Sequence, residues 1–280
     1  MIAKINKYIN GPNGRPIVYD FIYDKKTAKS PVVIFCHGYK GFKDWGAWPL
    51  LAKTLASNGV AFLKFNFSFN GGSLENPIDF PDLEAFSMNN YSKELSDLKA
   101  VVDWFSCEYK GNEALDVNNL ILMGHSRGGG VSTIYASEDK RIKKLITLAG
   151  VSNFESRFPK GKALNDWKSN NLYYVRNTRT NQEMPHSFQF YKDFLANKDR
   201  LTISNAAMKL STPHLIVHGD SDKAVNFNEA EDLKVWSQKS ILLKVKGANH
   251  VFGAKHPWSK DKLPSDLFIV YTKMVDFINN

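Results

Sequence analysis

The sequence predicts one α/β domain over residues 1–280, in which a mostly parallel sheet of about eight strands is covered by helices on both faces. Three observations lead to this prediction. Short apolar segments alternate along the chain with segments of helical periodicity, which implies parallel strands joined by right-handed crossovers. Residues 31–36 are apolar throughout, as is typical of a strand buried on both faces. The 280 residues, 43% of them apolar, suffice for one large core.

The first two strands are predicted to form an antiparallel hairpin. Residues 15–24 alternate between apolar and polar side chains after the turn-forming run Asn-Gly-Pro-Asn-Gly, and they would pair with residues 4–10. Further strands are predicted at residues 31–36, 60–67, 120–123, 144–149, 213–218 and 241–246. Helices are predicted at residues 48–57, 91–108, 127–137, 228–237 and 263–278.

Residues 151–209 interrupt this alternation, because they contain no pattern of a buried strand but many aromatic side chains. A structureless loop of this length would be unusual. We expect a small, mainly helical cap, inserted over the carboxyl edge of the sheet, where open α/β sheets bind ligands. A helical layer that serves stability alone is the alternative. The candidate substrate-binding side chains are Trp45, Trp167, Tyr173 and Phe188.

The formal net charge of +9 raises nucleic acids and anionic surfaces as partners. The basic residues are scattered in short groups, however, and no zinc-ligand spacing or RNA-binding signature accompanies them. We therefore expect a solvated basic surface and no nucleic-acid partner. No cluster of ligands for a metal or an organic cofactor is visible in the sequence, and we expect neither.

The two cysteines indicate whether the protein resides in an oxidising or a reducing compartment of the cell. Cys36 lies in an apolar run, Cys107 lies near the end of a helical segment, and they show no C-x-x-C spacing. Isolated thiols of this kind fit a reduced compartment. The N-terminus has no hydrophobic core of a signal peptide, and no apolar run approaches the ~18 residues that span a bilayer. We expect a soluble cytoplasmic protein without a membrane span.

The first candidate for chemistry is Ser126. Residues 124–128 read Gly-His-Ser-Arg-Gly between a predicted strand and a predicted helix, the context in which a G-x-S-x-G pattern places a nucleophilic serine. The abrupt turn exposes the Oγ atom, and the two glycines let neighbouring segments approach closely. The N–H group after the serine would lie at the helix N-terminus, where a developing oxyanion is stabilised.

A serine nucleophile needs a base and an acid that orients the base. His250 follows the last predicted strand, and Asp220 and Asp222 follow the strand before it. Parallel strands would carry these residues to the same edge of the sheet as Ser126, in the chain order serine, acid, histidine. The residues themselves leave open which of the two aspartates is the acid.

Four segments together resemble the α/β-hydrolase superfamily, and within it the branch of dienelactone-hydrolase-like, cinnamoyl or feruloyl esterase-like and peptidase-like proteins. They are HGYKG at 37–41, GHSRGG at 124–129, GDSDKAV at 219–225 and GANHVF at 247–252. The resemblance reaches across nearly the whole chain except residues 151–209. It implies the α/β-hydrolase fold, with Ser126 as nucleophile, His250 as base and Asp222 as acid.

The resemblance also implies an oxyanion hole formed by the backbone N–H groups of Tyr39 and Arg127. The G-x-x-D-x-x-V pattern of the resembled family favours Asp222 as the acid, and Asp220 would then be a turn residue. The side chain of Arg127 either binds a substrate carboxylate or pairs with a nearby acid, and we favour the pairing.

The remaining histidines have less specific interpretations. We expect His125 to pack beside the turn, His37 to brace the loop of the oxyanion hole, and His218 to be structural. No pattern supports a role for His186 or His256, and we expect both at the surface.

The predicted reaction is the hydrolysis of a carboxylic ester with a small to medium, apolar or aromatic acyl group, through an acyl-enzyme. The partner would be a small-molecule ester. A peptidase or thioesterase with the same triad, and a binding protein without catalysis, are the alternatives. The sequence leaves both a monomer and a homodimer open.

Overall fold

The computed structural model describes all 280 residues, which form a central sheet of eight strands, a separate two-stranded sheet and ten α-helices. The strands are β1 (Ile2–Asn10), β2 (Pro16–Tyr23), β3 (Ser30–Cys36), β4 (Ala61–Phe65), β5 (Leu115–His125), β6 (Ile142–Leu148), β7 (Leu172–Asn177), β8 (Gln182–Ser187), β9 (His214–Gly219) and β10 (Ser240–Val245). The helices are α1 (Trp48–Ser57), α2 (Leu83–Ser87), α3 (Tyr91–Glu108), α4 (Arg127–Glu138), α5 (Gly161–Asn170), α6 (Gln189–Ala196), α7 (Lys198–Leu201), α8 (Ile203–Lys209), α9 (Asn228–Trp236) and α10 (Ser265–Asn279).

The central sheet has the strand order β1-β2-β4-β3-β5-β6-β9-β10. The pairs β1–β2 and β2–β4 are antiparallel, and every other neighbouring pair is parallel. The predicted fold class, a mostly parallel sheet of about eight strands with helices on both faces, is thereby confirmed. Because parallel strands share one carboxyl edge, the loops after β3, β5, β9 and β10 meet at the same side of the sheet.

The side chains of β3 explain how one sheet holds helices on both faces. Val32 and Ile34 pack into the core on the side of α3 and α4, whereas Val33 and Phe35 pack into the core on the side of α1 and α10. All four side chains are fully buried. Successive residues of a strand point to opposite faces, so a strand covered on both sides needs an unbroken apolar run.

The predicted helices at residues 48–57 and 91–108 coincide with α1 and α3. A side-chain cap fixes the start of α3, because Asn90 Oδ1 accepts the N–H of Lys93 at 2.8 Å. Such a cap stabilises a helix by about 1 kcal/mol. No helix in the structure combines the length and the apolar character that a membrane-spanning segment requires.

Residues 151–209, which we call the cap, lie between β6 and β9 and contain α5 to α8. The cap also contains an antiparallel hairpin formed by β7 and β8, so the prediction of a mainly helical segment is incomplete. The hairpin escaped the sequence pattern because β8, which reads QEMPHS, has Met184 as its one aliphatic side chain and also contains Pro185. Neither an alternation nor an apolar run therefore marks β8 as the partner of β7.

Four charged side chains, three of them buried, form an ionic cluster beneath the loop that follows β3. They are Asp20 of β2, Lys64 of β4, and Lys43 and Asp44 of the loop. Lys43 Nζ lies 2.9 Å from Asp20 Oδ1, and both lysines also pair with Asp44. The cluster therefore ties this loop, which also contains Tyr39, to the antiparallel part of the sheet.

We expect the substitution Asp20→Asn to lower the free energy of unfolding by about 3–5 kcal/mol, because it leaves two buried ammonium groups with a single carboxylate. The matched control Asp166→Asn removes a carboxylate from the exposed pair with Lys162 and should change stability by less than about 1 kcal/mol. Urea unfolding of the wild type and both variants measures the difference. A small change of similar size in both variants would contradict the role of the cluster as an anchor.

Candidate active site

Ser126 occupies a strained turn between β5 and α4. Its backbone angles are φ 55° and ψ −118°, in a region that residues with a side chain rarely adopt. Hydrogen bonds on both sides hold the turn: the N–H of Ser126 donates to Leu148 O at 2.9 Å, and its carbonyl accepts the N–H groups of Gly129 and Val151. The strain is therefore maintained by the neighbouring strand β6 and by the start of α4.

The two glycines of the G-x-S-x-G segment are required by close backbone contacts. A Cβ atom on Gly128 would lie 2.3 Å from Cys36 O, and one on Gly124 would lie 2.2 Å from Gly128 O. Neither position has room for a side chain, because the contacts are with backbone atoms that cannot rotate away. The first turn of α4 can thus pack directly against the end of β3.

Asp222 and His250 form a hydrogen-bonded pair at the same edge of the sheet. His250 Nδ1 donates to Asp222 Oδ2 at 2.7 Å, and the N–H groups of Ala224 and Val225 donate to Asp222 Oδ1 at 2.8 and 2.9 Å. Burial alone would raise the pKa of Asp222, but these hydrogen bonds and one from His218 outweigh it and hold the pKa well below its usual range. The carboxylate is therefore ionised at neutral pH.

Asp220 and His218 have different positions around this pair. Asp220 Oδ1 accepts the N–H of Gly247 at 2.6 Å and does not contact His250, which fits the alternative of a turn residue. His218 is fully buried, and its Nε2 atom donates to Val225 O at 2.9 Å and lies 3.2 Å from Asp222 Oδ2. The contact of His218 with Asp222 was not predicted from the sequence. His218 lies at the end of a strand and Asp222 in the turn that follows, and no sequence motif pairs the two positions.

His125 and His37 brace the backbone of the site. His125 Nε2 donates to the carbonyl of His250 at 2.9 Å, and His37 Nδ1 donates to the carbonyl of Gly38 at 2.9 Å. Burial lowers the pKa of His125 to about 3 and that of His37 to about 4. Both rings are neutral at neutral pH, which fits the predicted structural roles.

Ser126 and His250 line the same cavity, whose volume is about 620 Å³. Ser126 Oγ makes no hydrogen bond to His250 or to another protein atom. Such bonds are often long before a substrate binds. The cavity is mostly apolar, and its other lining residues are Tyr39, Lys40, Tyr91, Arg127, Val151, Phe154, Arg157, Phe158, Pro159, Trp167, Tyr173, Val175, His186, Phe190, Ala224 and Val225.

Two backbone N–H groups near Ser126 have no hydrogen-bond acceptor within the protein, those of Tyr39 and Arg127. The loop that contains Tyr39 touches the turn, because a Cβ atom on Gly38 would lie 3.0 Å from Ser126 Cβ. The N–H of Arg127 is the first of α4, where the helix dipole contributes positive potential. The two groups are the ones that the sequence resemblance implies for an oxyanion hole.

The aromatic candidates divide into two pairs. Trp167 and Tyr173 line the cavity and stay candidates for substrate binding. Trp45 and Phe188 are not part of its wall: the ring of Trp45 stacks on His256, and Phe188 packs edge-on against Trp167 with ring centres 5.4 Å apart. The sequence identified aromatic residues near the site but could not tell which of them face the cavity.

The prediction that His186 lies at the surface is wrong. His186 is buried, lines the cavity and shares a hydrogen bond of 2.7 Å with Tyr39 Oη, while its carbonyl accepts the N–H of the Trp167 ring at 2.8 Å. Burial, with the nearby charges of Arg127 and Lys40, lowers the pKa of His186 to about 3. The residue was missed because it lies on β8, which the sequence pattern does not predict.

The side chain of Arg127 pairs with an acid, as favoured from the sequence. One of its terminal nitrogens donates to Glu94 Oε1 at 3.2 Å. The guanidinium also lies over the rings of Tyr39, Tyr91 and Phe190, at 4.5, 5.2 and 5.3 Å from their centres. These contacts place the charged group at the cavity wall.

Comparisons with known proteins agree with this fold. A sequence profile described as the alpha/beta hydrolase fold matches residues 31–195, more than half of the chain. The structure of Est1E from Butyrivibrio proteoclasticus with bound ferulic acid has 21% identity and a TM-score of 0.71, over 97% of each chain. A proposed dienelactone hydrolase from Klebsiella pneumoniae subsp. pneumoniae MGH 78578 has 16% identity and a TM-score of 0.61, over 100% of this chain and 98% of its own. A search of curated proteins gave no match.

The low pKa of His186 makes stability depend on pH in a direction that can be measured. An exposed histidine in the unfolded chain has a pKa of about 6.5, so below that pH the unfolded chain binds a proton that the folded chain does not. The contribution is intact above about pH 6.5 and is lost as the pH falls towards the folded pKa of about 3, by up to about 1.4 kcal/mol per pH unit.

We therefore expect the variant His186→Gln to lose free energy of unfolding less steeply than the wild type between about pH 6 and pH 4. Glutamine keeps a hydrogen-bonding group towards Tyr39 but does not titrate. Denaturant unfolding at several pH values gives both slopes, and the comparison does not depend on the absolute stability of the variant. Equal slopes would show that His186 is protonated in the folded protein.

Proposed function

The chain belongs to the alpha/beta hydrolase fold family, and from this premise we propose that it is a serine hydrolase that cleaves carboxylic esters. One observation carries the proposal: Ser126 and His250 line the same cavity, and His250 is hydrogen-bonded to the buried carboxylate of Asp222. This arrangement supplies a nucleophile, a base and a group that orients the base.

In the proposed first step, Ser126 Oγ attacks the carbonyl carbon of the ester and His250 Nε2 takes its proton. The bond from His250 Nδ1 to Asp222 leaves Nε2 without a hydrogen, so this nitrogen can accept. The low pKa of Asp222 keeps the carboxylate charged, which stabilises the imidazolium that forms. His250 then gives the proton to the leaving alcohol, and the acyl group stays on Ser126.

The negative charge on the carbonyl oxygen needs donors that are already in place. The N–H groups of Tyr39 and Arg127 have no competing acceptor and are our candidates. Loss of one such donor typically lowers kcat by about 100-fold or more. In the second step water, activated by His250, hydrolyses the acyl-enzyme, so the proposed cycle uses side chains and backbone N–H groups of this chain and water.

The proposed acyl group is small to medium and apolar or aromatic. Support comes from the cavity, whose volume of about 620 Å³ lies in the range of small-molecule sites and whose wall includes Phe154, Phe158 and Trp167. The solved complex of Est1E with ferulic acid, an aromatic acid, is in keeping with this. We further propose a reducing, cytoplasmic location, because both Cys36 and Cys107 are free.

We expect Ser126→Ala to lower kcat/KM for short p-nitrophenyl esters and hydroxycinnamoyl esters by at least about 1,000-fold, because the nucleophile is lost. The matched control is Ser137→Ala in the last turn of α4, whose hydroxyl donates to Ile134 O and does not line the cavity. It should keep the wild-type rate. A fluorophosphonate probe should label the wild type and the control but not Ser126→Ala.

The same panel, extended with thioesters and peptide amides, separates the proposed esterase from a thioesterase or a peptidase. A preference for thioesters or amides over all the esters would replace the proposed reaction with that one. Absence of turnover together with absence of labelling would favour a binding protein. Turnover that survives in Ser126→Ala would remove the serine mechanism altogether.

A further inference from the structure

The charged side chains that face the cavity all carry the same sign. Lys40, Arg127 and Arg157 line it, and no aspartate or glutamate does. Asp222 is also near, but its carboxylate is fully buried behind His250 and is occupied by the hydrogen bonds described above. A substrate in the cavity therefore meets cationic groups set in an otherwise apolar and aromatic wall.

Arg127 is the most specific of the three, because it directly follows Ser126 and its side chain is only 14% exposed. A guanidinium has five N–H donors in a planar fork. Here a single donor is used, in the bond to Glu94, and the others have no acceptor in the protein. The nitrogens that carry these unused donors are accessible, because none of them belongs to the fully buried side-chain atoms without a hydrogen-bond partner. Unused donors at the wall of a cavity can bind a ligand oxygen.

Glu94 contacts Arg127 on the side of the guanidinium that faces away from the cavity. Its side chain is 4% exposed, it also accepts a hydrogen bond from Asn89 at 2.7 Å, and it does not line the cavity. The three aromatic rings around the guanidinium restrict its remaining freedom. The group is thus fixed in place before a substrate arrives, which lowers the entropy lost on binding.

The other two cations add positive potential at the same wall. Arg157 has an acidic partner, Glu229, which lies outside the cavity lining. Lys40 has no acidic partner, and its ammonium donates only to the carbonyl of Arg176 at 3.2 Å. An anion near Arg127 is therefore favoured mainly by the charge of Lys40, because the charge of Arg157 is largely offset by Glu229.

We propose that the substrate is an ester that carries a carboxylate in addition to the ester group that is cleaved, and that Arg127 binds this carboxylate through its unused N–H donors. The inference rests on the proposed esterase function and narrows its substrate class. The carboxylate belongs either to the acyl part or to the alcohol part of the ester, and one set of substrates distinguishes these two sources.

The test compares each anionic ester with its uncharged methyl ester. Mono-p-nitrophenyl adipate and p-nitrophenyl methyl adipate place the charge in the acyl part, whereas p-carboxyphenyl hexanoate and its methyl ester place it in the alcohol part. In the wild type we expect kcat/KM to be higher for the anionic member of one pair, by about 10- to 100-fold, as for a charge-assisted hydrogen bond. Which pair shows the preference identifies the part that carries the carboxylate.

In Arg127→Gln this preference should fall by about the same factor. Because that substitution leaves Glu94 buried without its partner, the double variant Arg127→Gln with Glu94→Gln removes both charges together and should show the same fall. The matched control Arg200→Gln breaks a surface pair with Glu138 and should keep the wild-type preference. The ratio within each pair corrects for any general loss of activity or folded protein.

Hydrolysis that depends on Ser126 but shows equal kcat/KM within both pairs would overturn the inference and leave the esterase proposal intact. A wild-type preference that persists in the double variant would also overturn it, because the carboxylate would then be held elsewhere. Failure of the esterase proposal has a different signature, namely no hydrolysis of any of the four esters or hydrolysis that Ser126→Ala does not change.

Discussion

The strained turn at Ser126 is the constraint on which the rest of the site depends. The turn requires α4 to start against the end of β3. At this point the backbone of Gly128 is in direct contact with the backbone of Cys36, and a side chain would not fit between them. This contact requires β3 and β5 to be neighbours, and their pairing in turn brings the loop after β3 against the serine. The positions of Asp222 and His250 follow from the continuation of the same sheet through β9 and β10. Strand order and active-site geometry are therefore two consequences of one steric requirement.

Burial has opposite effects on the titratable groups around this turn. The rings of His37, His125 and His186 are buried among groups that do not favour a charge, and each has a lowered pKa. The side chain of Asp222 is also buried but remains charged, because hydrogen bonds from several donors exceed the effect of desolvation. The candidate site thus has its anion behind His250, to which it is hydrogen-bonded, while cations lie at the cavity wall.

Much of the fold could be predicted from the sequence, because apolar runs mark buried strands and apolar residues at helical spacing mark the buried face of a helix. The region of β3 and the full extents of α1 and α3 were predicted in this way. Ser126, Asp222 and His250 each follow a predicted strand of the parallel sheet, which sufficed to expect them at one edge. Whether these residues carry out the predicted chemistry stays a prediction.

Contacts between residues that are distant in the sequence and belong to no motif could not be predicted. Asp20 and Lys43 pair across the fold in the ionic cluster, and neither belongs to a recognisable motif. The last four residues of β8 are buried although the strand has a mostly polar sequence, so His186 was assigned to the surface. For Trp45 and Phe188 the aromatic residue type suggested a place in the substrate cavity, but it does not determine the neighbours against which each ring packs.

The hydrogen bond between Tyr39 and His186 joins the cap to the loop that contributes a candidate oxyanion donor. Insertions at this edge of a sheet are commonly regarded as modules that alter specificity and leave the chemistry to the scaffold. In this protein the cap and the loop of the candidate oxyanion donor are joined by this hydrogen bond. A cap without a hydrogen-bonding group at residue 186 would leave the Tyr39 hydroxyl without its partner. Exchange of the cap between related proteins would therefore change the surroundings of the Tyr39 loop as well as the shape of the cavity, unless residue 186 keeps a hydrogen-bonding side chain.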